Sequence, residues 1–342
     1  MTNMKKTKTK LLVIIAVLAI IVAGAAFTVP FFFSGADKGK TIYIYPEMTE
    51  AAFSDSLKAD FGQAYARRVM MLSNYRRIVT PRHIGAYRVE KGMSPFDLWR
   101  KLSSGAQSPV KFTFNNLRTV TDFAEVCSKQ LCMGKNDMLR LLTDSASCAS
   151  FGFTPQTVPT MLIPDTYEVY WSVKPEKLLE KMHDNYTRFW NDKRKAKAKE
   201  LGLTPNEVAT LASIVEEETA YSPEKGKVAR LYLNRLHKGM KLQSDPTVKF
   251  AIGDFSLKRI LHKHLTANSP YNTYAVEGLP PGPIRLPEKS TVDAVLNAPQ
   301  HDYIYMCAKA DFSGSHEFTA SYAEHLRYAR LYQAALNRRG IK

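Results

Sequence analysis

Three consecutive glutamates, Glu216, Glu217 and Glu218, close the apolar stretch LASIVEEETA at residues 211–220. A carboxyl can serve as a general acid when burial and neighbouring negative charge hold its proton near the working pH. Which of the three is aimed to do so depends on the helix that carries them. Thr204, Pro205 and Glu207 make a capping box with proline at the first helical position, so the spacing predicts a helix from Pro205 to about Thr219. At about 100° per residue, Val208, Leu211, Ala212 and Val215 share one apolar stripe. Glu217 then lies about 170° from the stripe centre, Glu216 about 90° and Glu218 about 70°. This wheel predicts a solvated Glu217 and places Glu218 at the rim of the buried face, with Glu216 on the opposite edge. The plain alternative is a charged helix end with no role. Glutamates disfavour a helix C-terminus, however, and a placement that costs stability points to use.

Beyond the glutamates, the loops LQSDPTV, SPYNTYAVEGLPPGPI and SGSHEFTASYAEH crowd together amides, hydroxyls, aromatic rings and two histidines. Sugars take amide and hydroxyl partners at their ring edges and aromatic faces against their C–H surfaces. Tyr271, Tyr274 and Phe318 supply the aromatic faces and His316 is one of the two histidines, so these are candidate contacts of a sugar cleft. Metal chemistry does not fit, because no histidine stands three or four residues after any of the glutamates. Cys127, Cys132, Cys148 and Cys307 contain no CxxC pair, which argues against zinc; Cys127 and Cys132 could form a disulfide in an oxidising compartment, or all four could be buried thiols.

The elements that position these residues begin with a basic start, Lys5, Lys6, Lys8 and Lys10, followed by an uncharged apolar run over residues 11–33. That run is long enough to cross a bilayer as a helix. A signal peptide has a similar basic start, but its apolar core is shorter, and here the run continues past AGAA to Phe33. The reading is an uncleaved anchor with its N-terminus inside and everything from about Gly35 outside. The formal charge of +16 is scattered, partly over Lys193, Arg194, Lys195, Lys197 and Lys199, and no nucleic-acid motif accompanies it.

TIYIYP alternates as a strand, MTEAAFSDSLKADFG has helical spacing, and GAYRVEKGMSPFDLWRKLSSG gives a second strand and a helix capped by Ser94. The stretch from VTDF to LLTD is helical, an irregular aromatic turn precedes a helix from about Pro175 to Phe189, and a solvated helix ends at Gly202. A further helix capped by Ser222 and ended by Gly239 follows the glutamates.

Residues 85–105 resemble a LysM module, which grips N-acetylglucosamine-containing glycans, through Tyr87, Val89, Gly92 and Ser94. Phe96 to Trp99 depart from that pattern. The stretches ASIVEEETA, NRLHKGMKLQSDPTV, YNTYAVEGLPPGPI, IPDTYEVY and GSHEFTASYAEH together resemble the endolytic murein transglycosylases of the YceG-like family. The resemblance implies that Glu218, before the TA of the E.ETA motif, is the catalytic acid, that Tyr271 and Asn272 contact sugar, and that Gln243 and Asp245 face the same cleft. Glu217 stands where the family varies, and LHKH at residues 261–264 is not a family motif.

The implied protein is a lyase that cuts between N-acetylmuramic acid and N-acetylglucosamine and leaves 1,6-anhydro ends, needing no cofactor or metal. Its partners would be peptidoglycan strands, the cytoplasmic membrane and penicillin-binding synthases, not nucleic acid. A hydrolytic muramidase and a non-catalytic wall-binding scaffold are the competing readings. The expected fold is α+β: a tail at 1–10, a single N-terminal transmembrane helix at 11–33, a small LysM-like α+β module at 34–110, and a larger mixed α+β catalytic domain at 111–342, with helices around a modest sheet.

Overall fold

The computed structural model describes residues 2–257 and 260–340, without the side chains of residues 2–7, so the predicted tail lysines Lys5 and Lys6 lie outside the described side chains. The chain divides into two compact units: Met1–Lys111 with Glu168–Val173, and Phe112–Tyr167 with Lys174–Lys342.

The first unit begins with α1 (Thr2–Phe33), within which Lys8–Phe33 contains an 18-residue stretch of mean hydropathy 3.0 and is long and apolar enough to cross a membrane. Then come β1 (Lys40–Ile44), α2 (Glu50–Phe61), α3 (Gln63–Ser73), β2 (Gly85–Val89) and α4 (Pro95–Ser104). β1 and β2 pair antiparallel, with Ile42 opposite Tyr87 and Ile44 opposite Gly85. Their inward side chains bury Ile42, Ile44, Tyr87 and Val89 against Phe53, Leu57, Val69, Leu98 and Leu102 of the helices. Ser94 caps α4 by accepting from the Asp97 N–H at 3.1 Å, as its sequence position predicts. α3 lies beyond the stretch in which the sequence indicates helical spacing; Gly62, at φ +84°, turns the chain directly from α2 into it.

The unit boundaries fall within β3 (Pro109–Phe114) and β4 (Asp165–Tyr170), which pair in a second two-stranded sheet. Part of the expected aromatic turn is therefore a strand, with Tyr167 and Val169 buried at the period of two that a half-buried strand requires. Between these strands lie α5 (Val120–Gln130), α6 (Lys135–Thr143) and α7 (Ser145–Ser150). After β4 the chain forms α8 (Pro175–Phe189), α9 (Asp192–Glu200) and α10 (Pro205–Glu218). It continues through α11 (Lys225–His237), α12 (Asp245–Ile252), α13 (His262–Leu265) and α14 (Lys289–Leu296) to the hairpin β5 (Tyr305–Ala308) and β6 (His316–Thr319), and closes with α15 (Tyr322–Arg338). All four cysteines are free thiols.

No sheet occupies the centre of the second unit among the described residues. Its core is instead α10, around which α11, α12 and α14 pack. Every residue of α10 from Val208 to Val215 is buried, so the helix is enclosed on all sides rather than amphipathic. Val208, Leu211, Ile214 and Val215 meet Trp190, Leu231, Tyr232, Ile284 and Val295 in one apolar cluster. The predicted capping box is present: Thr204 Oγ1 accepts from the Glu207 N–H, and Glu207 Oε2 accepts from the Thr204 N–H at 2.7 Å.

Candidate active site

α10 ends at Glu218, because Thr219 turns to extended backbone while its N–H still closes on Val215 O at 3.2 Å. The three glutamates of this last turn part into three environments. Glu216 Oε2 accepts the Glu288 N–H at 2.9 Å. Glu217 receives Arg118 through Nη2 at 2.9 Å and Nε at 3.3 Å, and Arg285 through Nη1 at 2.7 Å. The prediction of a solvated Glu217 is thus wrong: its side chain is 15% exposed, since a helix enclosed on all sides has no solvent face for the wheel to identify. Glu218 alone enters a cavity.

That cavity, of about 350 Å³, is lined by Glu218, Tyr232, Arg235, Gln243, Asp245, Tyr274, His316 and His325, among others. Glu218 Oε1 accepts two hydroxyls, Tyr232 Oη at 2.7 Å and Ser244 Oγ at 2.5 Å. Oε2 makes no hydrogen bond among the described residues. When the carboxyl is neutral its proton therefore belongs on Oε2, the atom free to meet a ligand. Burial pushes the Glu218 carboxyl above the usual carboxylate range; Asp245 adds to the rise, while the Ser244 and Tyr232 hydrogen bonds and the charge of His316 oppose it. The negative end of α10 favours the protonated form as well. The group can thus hold a proton and, once it has given it up, has two hydroxyl donors waiting for the resulting anion.

Ser244 is placed by a strained turn. Gln243 adopts φ +53°, the left-handed region that side chains avoid. The turn is held from the loop at residues 271–274: the Gln243 N–H donates to Thr273 O at 3.1 Å and the Ser244 N–H to Thr273 Oγ1 at 3.0 Å. Asp245 accepts the Tyr274 hydroxyl at 2.7 Å, and burial followed by the neighbouring carboxylate pushes that phenol up, so it remains a neutral donor. His316 Nδ1 lies 3.0 Å from Glu224 Oε2, and its backbone N–H donates to Glu224 Oε1 at 3.0 Å, which leaves ring nitrogen Nε2 without a protein partner among the described residues. The loop before α14 is moored by the Ile284 N–H to Ser213 Oγ at 3.0 Å. In the same loop a Cβ on Gly282 would sit 1.9 Å from Gln156 O, so only glycine fits.

The structure brings Glu218, Gln243, Asp245, Tyr274 and His316 around one cavity and leaves three predicted contacts outside its lining. Asn272 is fully buried with its amide donated to Leu265 O at 2.8 Å and Ala267 O at 2.9 Å, so it fastens its loop instead of meeting a sugar. Tyr271 packs on Phe250 with ring centroids 4.7 Å apart. Phe318 lies under Lys227 Nζ at 4.4 Å and beside Tyr303. Sequence reasoning missed Tyr232, Ser244 and Arg235. Ser244 and Arg235 stood inside the quoted NRLHKGMKLQSDPTV stretch without being singled out, whereas Tyr232 read only as part of a helix.

Replacing Tyr232 with phenylalanine removes a donor to the charged form of Glu218, so its pKa rises further. The pH at which the Glu218 carboxyl loses its proton, followed by its carbon NMR signal, is expected to move higher. A transition that stays or moves down contradicts the proton assignment.

The YceG-like family model matches residues 42–331. An endolytic murein transglycosylase of Bacillus subtilis (strain 168) is 30% identical over 271 residues, 74% of this chain and 74% of that protein. One from Streptococcus pneumoniae serotype 2 is 26% identical over 260 residues, 66% of this chain but 46% of that protein, so the chain spans under half of that relative. The crystal structure of a yceG-like protein from Listeria monocytogenes superposes with a TM-score of 0.58 at 24% identity, covering 85% of this chain and 99% of that one, a likeness of fold.

Proposed function

The chain belongs to the YceG-like family, and from that premise we propose that it is an endolytic peptidoglycan lytic transglycosylase with Glu218 as its acid and base. The observation that carries the reading is a carboxyl raised by burial, with one oxygen fixed by two hydroxyls and the other free in the cavity. Protonated Oε2 gives its proton to the glycosidic oxygen between N-acetylmuramic acid and N-acetylglucosamine. The carboxylate, stabilised by Tyr232 and Ser244, then takes the proton of the C6 hydroxyl of the same muramic acid as that oxygen closes on C1. A 1,6-anhydro ring forms and no water is consumed. A held intramolecular hydroxyl has a high effective molarity, which removes the need for a second carboxylate.

Asp245, the other carboxylate lining the cavity, supports a second reading, a hydrolytic muramidase in which it activates water. Its bond from Tyr274 favours a binding role. Asp245→Asn is therefore expected to keep producing anhydro ends at reduced affinity; loss of reducing ends in that variant, with no anhydro ends from either protein, would establish the hydrolase. Unchanged strands with tight glycan binding by the native protein would favour a scaffold.

α1 supports a single-pass anchor in the cytoplasmic membrane, with the lysines inside and everything from about Gly35 outside. The membrane-proximal unit, with Tyr87, Val89, Gly92 and Ser94 in LysM-like order, would hold glycan near the bilayer. That location suits trimming or terminating nascent strands beside penicillin-binding synthases.

A further inference from the structure

Arg235 lies on α11 in the wall of the Glu218 cavity and is 8% exposed. Its Nε donates to Ile304 O at 2.7 Å, and its Nη1 to Leu242 O at 2.8 Å and, at longer range, to Lys241 O at 3.3 Å and Gln243 Oε1 at 3.4 Å. The Tyr305 ring lies 5.6 Å from its Cζ. These contacts fix the guanidinium on neutral acceptors, which satisfy donors without cancelling a charge.

Among the described residues, the second unit's arginine ion pairs belong to Arg118, Arg140, Arg194 and Arg285; no carboxylate reaches Arg235. The two carboxylates of the cavity are bonded elsewhere, Glu218 to Tyr232 and Ser244, and Asp245 to Tyr274. Nη2 makes no hydrogen bond among the described residues. A mostly buried guanidinium left unneutralised is costly, and its open edge suits an anion, best a carboxylate. An uncompensated cation would also oppose the oxocarbenium-like transition state of glycoside cleavage, so an anion arriving with the substrate would relieve a cost at the bond being broken.

Muramic acid differs from N-acetylglucosamine by a lactyl ether that ends in a carboxyl, either free or extended by a peptide stem with carboxylates of its own. Resting on the transglycosylase reading, we propose that Arg235 is the specificity residue of the cavity, its Nη2 edge binding a carboxylate carried by the muramoyl substituent. The site thereby selects muramic acid strands over glycans of N-acetylglucosamine alone.

The test is calorimetric binding to the full chain in detergent, in a Glu218→Gln background, so that no ligand is consumed. Three muramic acid-containing oligosaccharides serve as probes: one with a free lactyl carboxylate, one capped as its methylamide, and one with the peptide stem. Capping is expected to weaken binding about 10- to 100-fold, the range of a charge-assisted hydrogen bond. Arg235→Gln should bind the free acid and the methylamide alike, and Arg235→Lys should retain part of the difference. Tight binding of the stem-bearing probe assigns the carboxylate to the peptide; weak binding of that probe beside tight binding of the free acid assigns it to the lactyl group. Equal binding of all three by the protein that retains Arg235, or no binding of any, overturns the proposal, as does an equal loss across all three in Arg235→Gln. The comparison of the three probes on the protein that retains Arg235 decides even if the arginine variants fail to fold. Failure of the transglycosylase reading would appear separately, as uncut strands with Glu218 in place.

Discussion

Glu218→Gln is expected to lower kcat/KM on peptidoglycan strands by about 10²- to 10⁴-fold, the span of a single general acid–base group. Glutamine keeps the shape of the side chain and can still accept from Tyr232 and Ser244, so binding should survive while proton transfer does not. The same change should leave the fold more stable at neutral pH. Burial raises the Glu218 carboxyl, so between the ordinary carboxyl value and the raised folded value the folded chain holds a proton that the unfolded chain has lost. Stability contributed by that proton falls as pH rises through the window. Glutamine does not titrate, and its advantage in Tm over the native protein should grow with pH across the same window. Paired rate and melting measurements over pH check both statements; turnover within tenfold of native contradicts the catalytic assignment.

Arg285→Leu has the largest expected effect on stability. The Arg285 and Glu217 side chains are 11% and 15% exposed, and the guanidinium also reaches Asn116 Oδ1. Removing one partner of such a pair leaves the carboxylate only partly compensated, at a cost of about 3 kcal/mol, toward the low end of the range for buried pairs. The low end applies because Glu217 keeps Arg118, whose side chain is 36% exposed and screened by solvent. If the second unit, Phe112–Tyr167 with Lys174–Lys342, unfolds by itself, that corresponds to a fall in its Tm of roughly 6–12 °C. Adding Glu217→Leu should recover much of the loss, since an apolar pair replaces a broken ionic one. Urea denaturation of the single and double variants checks this; additive losses would show that the two side chains do not act as a pair.

The residues divide by how local their signals are. Helix α10 was legible because a capping box and a period of 3.6 are written within one element, but the wheel alone left Glu216 and Glu218 on opposite edges of the stripe. The fate of Glu217 was not legible, because its partners Arg118 and Arg285 stand 99 and 68 residues away and meet it only after folding. The polar loops bring Gln243, Asp245, Tyr274 and His316 to one cavity, but the sequence could not separate side chains that line it from amides that hold a loop. Asn272 is of the second kind. Tyr232 shows the converse: its ring belongs to the core pattern of α11, and only its hydroxyl, delivered to Glu218, belongs to the site.

The most direct test of the account is mass spectrometry of the ends produced when the full chain digests purified glycan strands in heavy-oxygen water. A single carboxyl working with an intramolecular hydroxyl predicts anhydro-muramic ends that carry no solvent oxygen, absent from the Glu218→Gln digest. Reducing ends labelled with heavy oxygen would mean that water attacks the bond, and the lytic mechanism built on Glu218 would be wrong.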